Sequence, residues 1–257
     1  MQHLTRDGVK LFFEEAGSGN PPILLVHGWT CDHTYMEPQF EHLRRTHRVV
    51  AVDLRGHGLS DKPQQDYTMR TFADDLAWLC GQLGLKKPVV IGHSMGGVIA
   101  LELAAQFPEV AGAVVTLDSP IVPPQTLIEG MTPTIEALRG PNYRAVQQQL
   151  VSEALFIPAD DPVRKARIVE DMSSAPQHVM ASAFANIFAD TTKNTAACKV
   201  PLLILMAAQA LSDVPRLQAL CPHVMIGQTV GAGHFHQLEV PEQVNAMIDR
   251  FLAVSRL

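Results

Sequence analysis

Val89-Val90-Ile91-Gly92-His93-Ser94-Met95-Gly96-Gly97, running on into Val98-Ile99-Ala100-Leu101-Glu102-Leu103-Ala104-Ala105, is the stretch on which the fold turns. Its opening residues form a β-branched apolar run with no helical period, which predicts a short buried strand. Its closing residues are rich in alanine and leucine and predict a helix that ends at Phe107-Pro108. Between them lies a G-x-S-x-G match, Gly92 to Gly96, in the strand–turn–helix setting that this motif requires. A serine on so sharp a turn needs a strained backbone, and Gly92, Gly96 and Gly97 remove side chains that would collide with the adjoining strand and helix. Ser94 Oγ would then stand at a helix N-terminus, where free N–H groups favour developing negative charge. The plainer reading is a Gly-Ser turn without chemistry, and the rest of the chain weighs against it.

Working outward, strands and helices alternate. Asp7-Gly8 marks a leading hairpin within residues 1–20, and Ile23–Val26 and His47–Leu54 read as buried strands. Tyr67–Leu83 carries Phe72, Leu76, Leu79 and Leu83 at helical spacing, and Val110–Asp118 is a strand ending on an acid. The rhythm returns at Val200–Met206 and Val224–Gly227, and Pro241–Ser255 closes the chain as an amphipathic helix. This alternation predicts an α/β protein with a mostly parallel central sheet and helices on both faces. From Ser119 to about Thr195 prolines cluster and amphipathic stretches follow without strands; Tyr143–Phe156, Pro162–Met172 and Gln177–Phe188 are the candidate helices. So long a segment reads as an inserted helical cap rather than a loop. The expected organisation is a core of residues 1–118 and 196–257 with a cap at 119–195.

Composition narrows the function. The 257 residues are 47% hydrophobic and 18% charged, with a net charge of −6, a composition suited to one large globular domain. The 20 lysines and arginines form no basic run, so nucleic acid is not an expected partner. No apolar run suits a membrane span, and Met1–Asp7 lacks the apolar core of a signal peptide. Cys31, Cys80, Cys198 and Cys221 show neither C-x-x-C pairing nor metal-ligand spacing; they read as free thiols, and cytoplasm is the expected location. Neither a metal nor an organic cofactor is expected, and the partner is a small-molecule substrate bound by a monomer or homodimer.

Ser94 needs a base within hydrogen-bond reach and an acid to orient that base. Among eleven histidines, His234 stands out, because Gly231-Ala232-Gly233 precedes it just after the last expected strand, at the sheet edge where open α/β sheets bind ligands. His236 is a second choice. His93, His57 and His27 read as structural, His27 as a hydrogen-bonder shaping its loop, and Asp53 reads as a structural acid at a strand end.

His27-Gly28-Trp29, Asp53-Leu54-Arg55-Gly56-His57-Gly58-Leu59-Ser60, Gly92-His93-Ser94-Met95-Gly96-Gly97 and Gly233-His234-Phe235 stand in an order that resembles the α/β-hydrolase superfamily. The resemblance spans residues 1–118 and 196–257. It implies the α/β-hydrolase fold, Ser94 as nucleophile, His234 as base, and an oxyanion hole made by the backbone N–H groups of Trp29 and Met95. The chain departs from the family at the acid. Where the family commonly carries G-x-x-D after the strand matching Leu202–Met206, this sequence reads Ala207-Ala208-Gln209-Ala210. Asp118, at the end of the preceding strand, is the favoured substitute, since a strand end holds a carboxylate rigidly; Asp213 is the alternative.

The cap is expected to set the substrate. Its apolar residues, including Phe156, Met180, Phe184 and Phe188, are the candidate pocket lining together with His27 from the core, and no Arg or Lys cluster suggests a phosphorylated substrate. The expected activity is cleavage of carboxylic esters, or of related lactone, thioester or acyl bonds, in a small to medium apolar compound. Two alternatives stand beside it. Cofactor-free ring-cleaving dioxygenases share this fold, and Gly28–His33 and Gln209–Asp213 faintly resemble them, although Met95 stands where a polar residue is expected in that group. A non-catalytic small-ligand receptor is the other.

Overall fold

The computed structural model describes residues 2–257; Met1, the first residue of the expected hairpin, lies outside the described residues. Gln2–Arg6 (β1) and Val9–Ala16 (β2) form that hairpin around Asp7 and Gly8, both at positive φ (50° and 81°), as a tight two-residue turn requires. The remaining strands are Ile23–Val26 (β3), Val49–Val52 (β4), Val89–His93 (β5), Ala113–Leu117 (β6), Leu202–Met206 (β7) and Met225–Gln228 (β8). They make one eight-stranded sheet in the order β1-β2-β4-β3-β5-β6-β7-β8; β2 runs antiparallel to its neighbours, and every pair from β4 to β8 is parallel.

Strands β3 to β6 are buried along their whole length, which is why they read as unbroken apolar runs and not as alternating ones. Successive side chains still go to opposite faces. Leu24, Val26, Val50 and Val90 join a core with Phe72, Leu76, Val98 and Ile99, whereas Ile23, Leu25, Ala51 and Ile91 join Phe40, Val244, Ile248 and Phe251. Met69–Leu83 (α2) and Met95–Gln106 (α3) therefore cover one face, and Glu37–Leu43 (α1) and Pro241–Val254 (α11) the other. The start and stop of α2 follow its sequence: Thr68 Oγ1 accepts the Thr71 N–H at 3.1 Å, and Gly84 takes the left-handed conformation just past the last turn.

Between β6 and β7 the chain leaves the sheet for five helices: Gln125–Ala137 (α4), Tyr143–Ala154 (α5), Pro162–Ser173 (α6), Gln177–Ile187 (α7) and Thr192–Ala197 (α8). The three expected helices of this insertion are present. Two others were not expected from the sequence. Helix α4 contains Pro133 and has no buried residue, so the proline within it disguises it, and α8 is too short to show a period. Val214–Leu220 (α9) and His236–Glu239 (α10) complete the set. No helix among the described residues is long and apolar enough to cross a membrane.

One residue of the insertion is out of place. Gln147 in α5 is completely buried, yet neither its amide oxygen nor its nitrogen has a hydrogen-bond partner. Each such orphan group costs about 1–3 kcal/mol of desolvation. Gln147→Met, which keeps the length and removes the polar atoms, is expected to raise the urea unfolding midpoint, with a gain of about 1 kcal/mol or more; a lowered midpoint would contradict this account.

Candidate active site

Ser94 sits between β5 and α3 at φ 53° and ψ −118°, a conformation that a non-glycine residue holds only when its surroundings enforce it. Its N–H donates to Leu117 O at 2.8 Å, tying the turn to the neighbouring strand, and its own carbonyl accepts the N–H groups of Gly97 (3.0 Å) and Val98 (3.4 Å). The turn closes tightly enough that a Cβ at Gly92 would collide with the Gly96 backbone, and one at Gly96 with the carbonyls of Val26 and His27.

At the end of β6, Asp118 is also at positive φ (45°) and is 4% exposed. Its N–H donates to Leu205 O at 2.7 Å. Its Oδ1 accepts the Ala207 N–H at 2.9 Å, so the turn that lacks the family's usual acid supplies an amide that orients this one. Its Oδ2 accepts from His234 Nδ1 at 2.7 Å. With Nδ1–H committed to the carboxylate, neutral His234 carries its lone pair on Nε2. Asp213, the alternative acid, lies elsewhere: it caps α9, accepting the Arg216 N–H at 3.1 Å.

Ser94 and His234 line one cavity of about 140 Å³. Gly28, Trp29 and Cys31 form its floor, and Leu127, Met131, Leu150, Met172, Phe184 and Phe188 from the insertion form its walls. Among the described residues Ser94 Oγ makes no hydrogen bond, and the main-chain N–H groups of Trp29 and Met95 have no partner. The lining holds no lysine or arginine; its polar side chains are His93, Ser94, Gln209 and His234.

The remaining candidates divide. Phe184 and Phe188 line the cavity as expected, and Phe156 lines a smaller recess on the far side of His234, stacked on Phe235 at 5.3 Å. His27 and Met180 do not line it, and this corrects the expectation. His27 Nδ1 donates to Gly28 O at 2.7 Å and its Nε2 accepts the Leu54 N–H at 3.0 Å, so both ring nitrogens shape loops. Met180 is fully buried in the packing beneath Trp29, whose indole N–H donates to the Met180 carbonyl at 2.9 Å. Cys31, Leu150, Met172, Gln209 and Leu211 were not anticipated as lining; Leu150 shares a face of α5 with Ala154 at i, i+4 spacing, a sequence signal that could have indicated Leu150 alone.

A second polar group, Asp32, His33 and Asp53, places ligand-type atoms within 4.8 Å of one another. Asp53 is already committed: its Oδ1 accepts from the His33 amide (2.7 Å) and ring Nδ1 (2.8 Å), and its Oδ2 from the Leu59 N–H (2.7 Å). Through these bonds the group braces two loops.

A family model described as "alpha/beta hydrolase fold" matches residues 21–241. The chain is 29% identical to 2-(acetamidomethylene)succinate hydrolase of Mesorhizobium japonicum, over 95% of this chain and 92% of that one. Among solved structures it resembles a thermophilic esterase from Thermogutta terrifontis, determined with malate bound (TM-score 0.86, 28% identity, all of both chains). It also resembles Est816, described as an N-acyl homoserine lactone degrading enzyme (TM-score 0.85, 25% identity, 97% of this chain and all of that one).

Buried histidines around the site govern its acid stability. Burial pushes His57 down to about 3 and His236 down to about 4, and it lowers His27 and His93 as well. Each is neutral when folded and takes up a proton on unfolding below its ordinary value of 6.5, so the unfolded state binds more protons and stability is lost as the pH is lowered. His33 acts oppositely. Burial lowers its pKa, but the hydrogen bond and charge of Asp53 outweigh that and raise it, so its contribution is full below 6.5 and fades as pH rises through the folded value. The stability read from urea unfolding is expected to drop from pH 6.5 towards 4, by about 1.4 kcal/mol per pH unit for each of His57 and His236. His57→Asn should flatten the slope; an unchanged slope would show that His57 is not held neutral.

Proposed function

The chain belongs to the α/β-hydrolase fold family, and we propose that within it this protein is a serine hydrolase acting on carboxylic esters or related acyl bonds, thioesters and lactones included. The observation that carries the reading is the 2.7 Å hydrogen bond that His234 Nδ1–H donates to Asp118, made beside a serine at φ 53° in the same cavity. His234 Nε2 removes the proton of Ser94 Oγ as the oxygen attacks the carbonyl carbon. Asp118 fixes the imidazole and stabilises the imidazolium that forms. The N–H groups of Trp29 and Met95 take the oxyanion, each worth about 2.7–4 kcal/mol in the transition state. His234 then returns its proton to the leaving alcohol or thiol. Water, deprotonated by the same nitrogen, attacks the acyl-Ser94 carbonyl and releases the acid.

The insertion acts as the cap that selects the acyl group. A lining of leucine, methionine and phenylalanine without lysine or arginine suits an uncharged, apolar acyl chain of small to medium size. A succinate-type substrate with two carboxylates would enter this cavity without a cationic partner, at a high desolvation cost. The substrate therefore differs in charge from that of the Mesorhizobium relative, despite the shared fold. The four cysteines are all free and buried, in keeping with a reducing cytoplasm.

The test is turnover of p-nitrophenyl acetate, butyrate and octanoate, with mass spectrometry after treatment with a fluorophosphonate. Turnover and labelling should both vanish in Ser94→Ala. Asp118→Asn is expected to lower kcat by about 10⁴-fold, whereas Asp213→Asn should stay within about twofold. An unlabelled Ser94 with no ester turnover would overturn the reading, and oxygen uptake with a heteroaromatic substrate would replace it by ring-cleaving chemistry.

A further inference from the structure

His234 stands on a loop, not on a strand or helix, so its position depends on what holds that loop. Contacts from the central strands and from the insertion hold it. Asp118 holds the imidazole, and His93 Nε2–H donates to the His234 carbonyl at 3.0 Å; both come from the ends of central strands. Others come from the insertion. The segment after α5 presents the Leu155 carbonyl to the His234 N–H at 2.9 Å and the Asp160 Oδ1 to the Gly233 N–H at 2.8 Å. Two consecutive amides of the histidine loop are thus held by one short stretch some seventy residues earlier.

That stretch is itself organised by Asp160, which is 8% exposed. Its Oδ2 accepts the Ile157 N–H at 2.8 Å, and its N–H donates to the Ile157 carbonyl at 3.1 Å, closing a turn that aims Oδ1 at Gly233. The approach is close enough that a Cβ at residue 233 would collide with the Asp160 carboxylate. The seam continues beyond it. Glu239 Oε2 accepts the Asp161 N–H at 3.2 Å and pairs with Arg164 Nη1 at 2.6 Å.

We propose that Asp160 is a positioning residue for the base, latching the Gly233–His234 backbone to the insertion so that the imidazole is aligned only while residues 155–164 are seated on the core. The proposal rests on the serine-hydrolase reading for its effect on rate, but the latch itself is a structural statement that is measured separately. A carboxylate suits the role because it accepts two amides at once, and charge-assisted bonds of this kind hold geometry better than neutral ones. Opening of the insertion to admit substrate would release the base, and closure would reset it.

The experiment compares wild type, Asp160→Ala and Asp160→Asn by ester kinetics and by the imidazole Nδ1–H proton signal of His234 in ¹⁵N-histidine-labelled protein. With the latch, Asp160→Ala lowers kcat by about 10–100-fold, the loss that a displacement of about 1 Å produces, while KM shifts by less than about threefold. The His234 proton then broadens or exchanges faster, and Asp160→Asn, whose amide oxygen still accepts from Gly233 but whose NH2 faces the Ile157 N–H, gives a loss of both smaller than that of Asp160→Ala. If Asp160→Ala does not fold, Asp160→Glu, which moves the carboxylate by one methylene, takes its place with the same expected loss. A kcat within about twofold of wild type, a change confined to KM, or a falling kcat with an unaltered His234 proton would each overturn the proposal. If wild type hydrolyses no ester, the ester reading fails but the proton still decides: its weakening in Asp160→Ala upholds the latch, and its persistence removes it.

Discussion

The left-handed backbone at Ser94 is the constraint on which the other features depend. A serine does not hold φ 53° unaided, and the restraint comes from the parallel sheet, through the bond from Ser94 N–H to Leu117 O. A side chain at Gly92 would push α3 away from β5, and one at Gly96 would push it away from the end of β3, so the tight turn, the sheet and the helix behind it form one unit. The same geometry points the hydroxyl into the cavity and leaves the first amide of α3 free beside it. In the proposed chemistry these are the nucleophile and half of the oxyanion site, and both follow from one strained dihedral pair.

In the proposed triad the acid shows how the fold tolerates rearrangement. The position after β7 is alanine, and the carboxylate comes instead from Asp118 at the end of β6, the adjacent strand. Because β6 and β7 are hydrogen-bonded neighbours, a carboxylate at either strand end can face the histidine loop. The Ala207 amide donates to the Asp118 carboxylate, so it is not left an orphan donor.

Much of the fold was legible because it is punctuated by glycines and buried apolar runs: the hairpin at Asp7-Gly8, the turn at Gly92–Gly97 and the loop at Gly231–Gly233. Ser94 and His234 stood out for that reason, and Asp118 because a strand ended on it. The cavity wall was less legible. A methionine or phenylalanine at helical spacing shows that a face is buried but not whether it meets core or cavity, which is how Met180 and Phe184, one turn apart, came to differ. His27 was read both as a loop-shaper and as lining, and its two hydrogen bonds leave only the first role. Asp213 carried a helix-cap signal, an acid two residues before Pro215, that competed with its reading as an acid for the base. Asp160 gave no local signal, since its meaning depends on a residue far along the chain.

The insertion leaves the sheet after β6, and the Val122 N–H donates to Thr191 Oγ1 at 2.7 Å, so helices α4 to α7 begin and finish beside one another before α8 leads back to β7. Its two ends are therefore anchored almost at one point, like a cassette on a single clip. The entropy of closing such an excursion grows only with the logarithm of its length, so helices can be added to or removed from this segment at little thermodynamic cost. The sheet, the serine turn and the strand-end acid lie outside it. Descent with variation can thus exchange the wall of the cavity while leaving its floor untouched, provided that each new cassette still reaches the loop at residues 233–234.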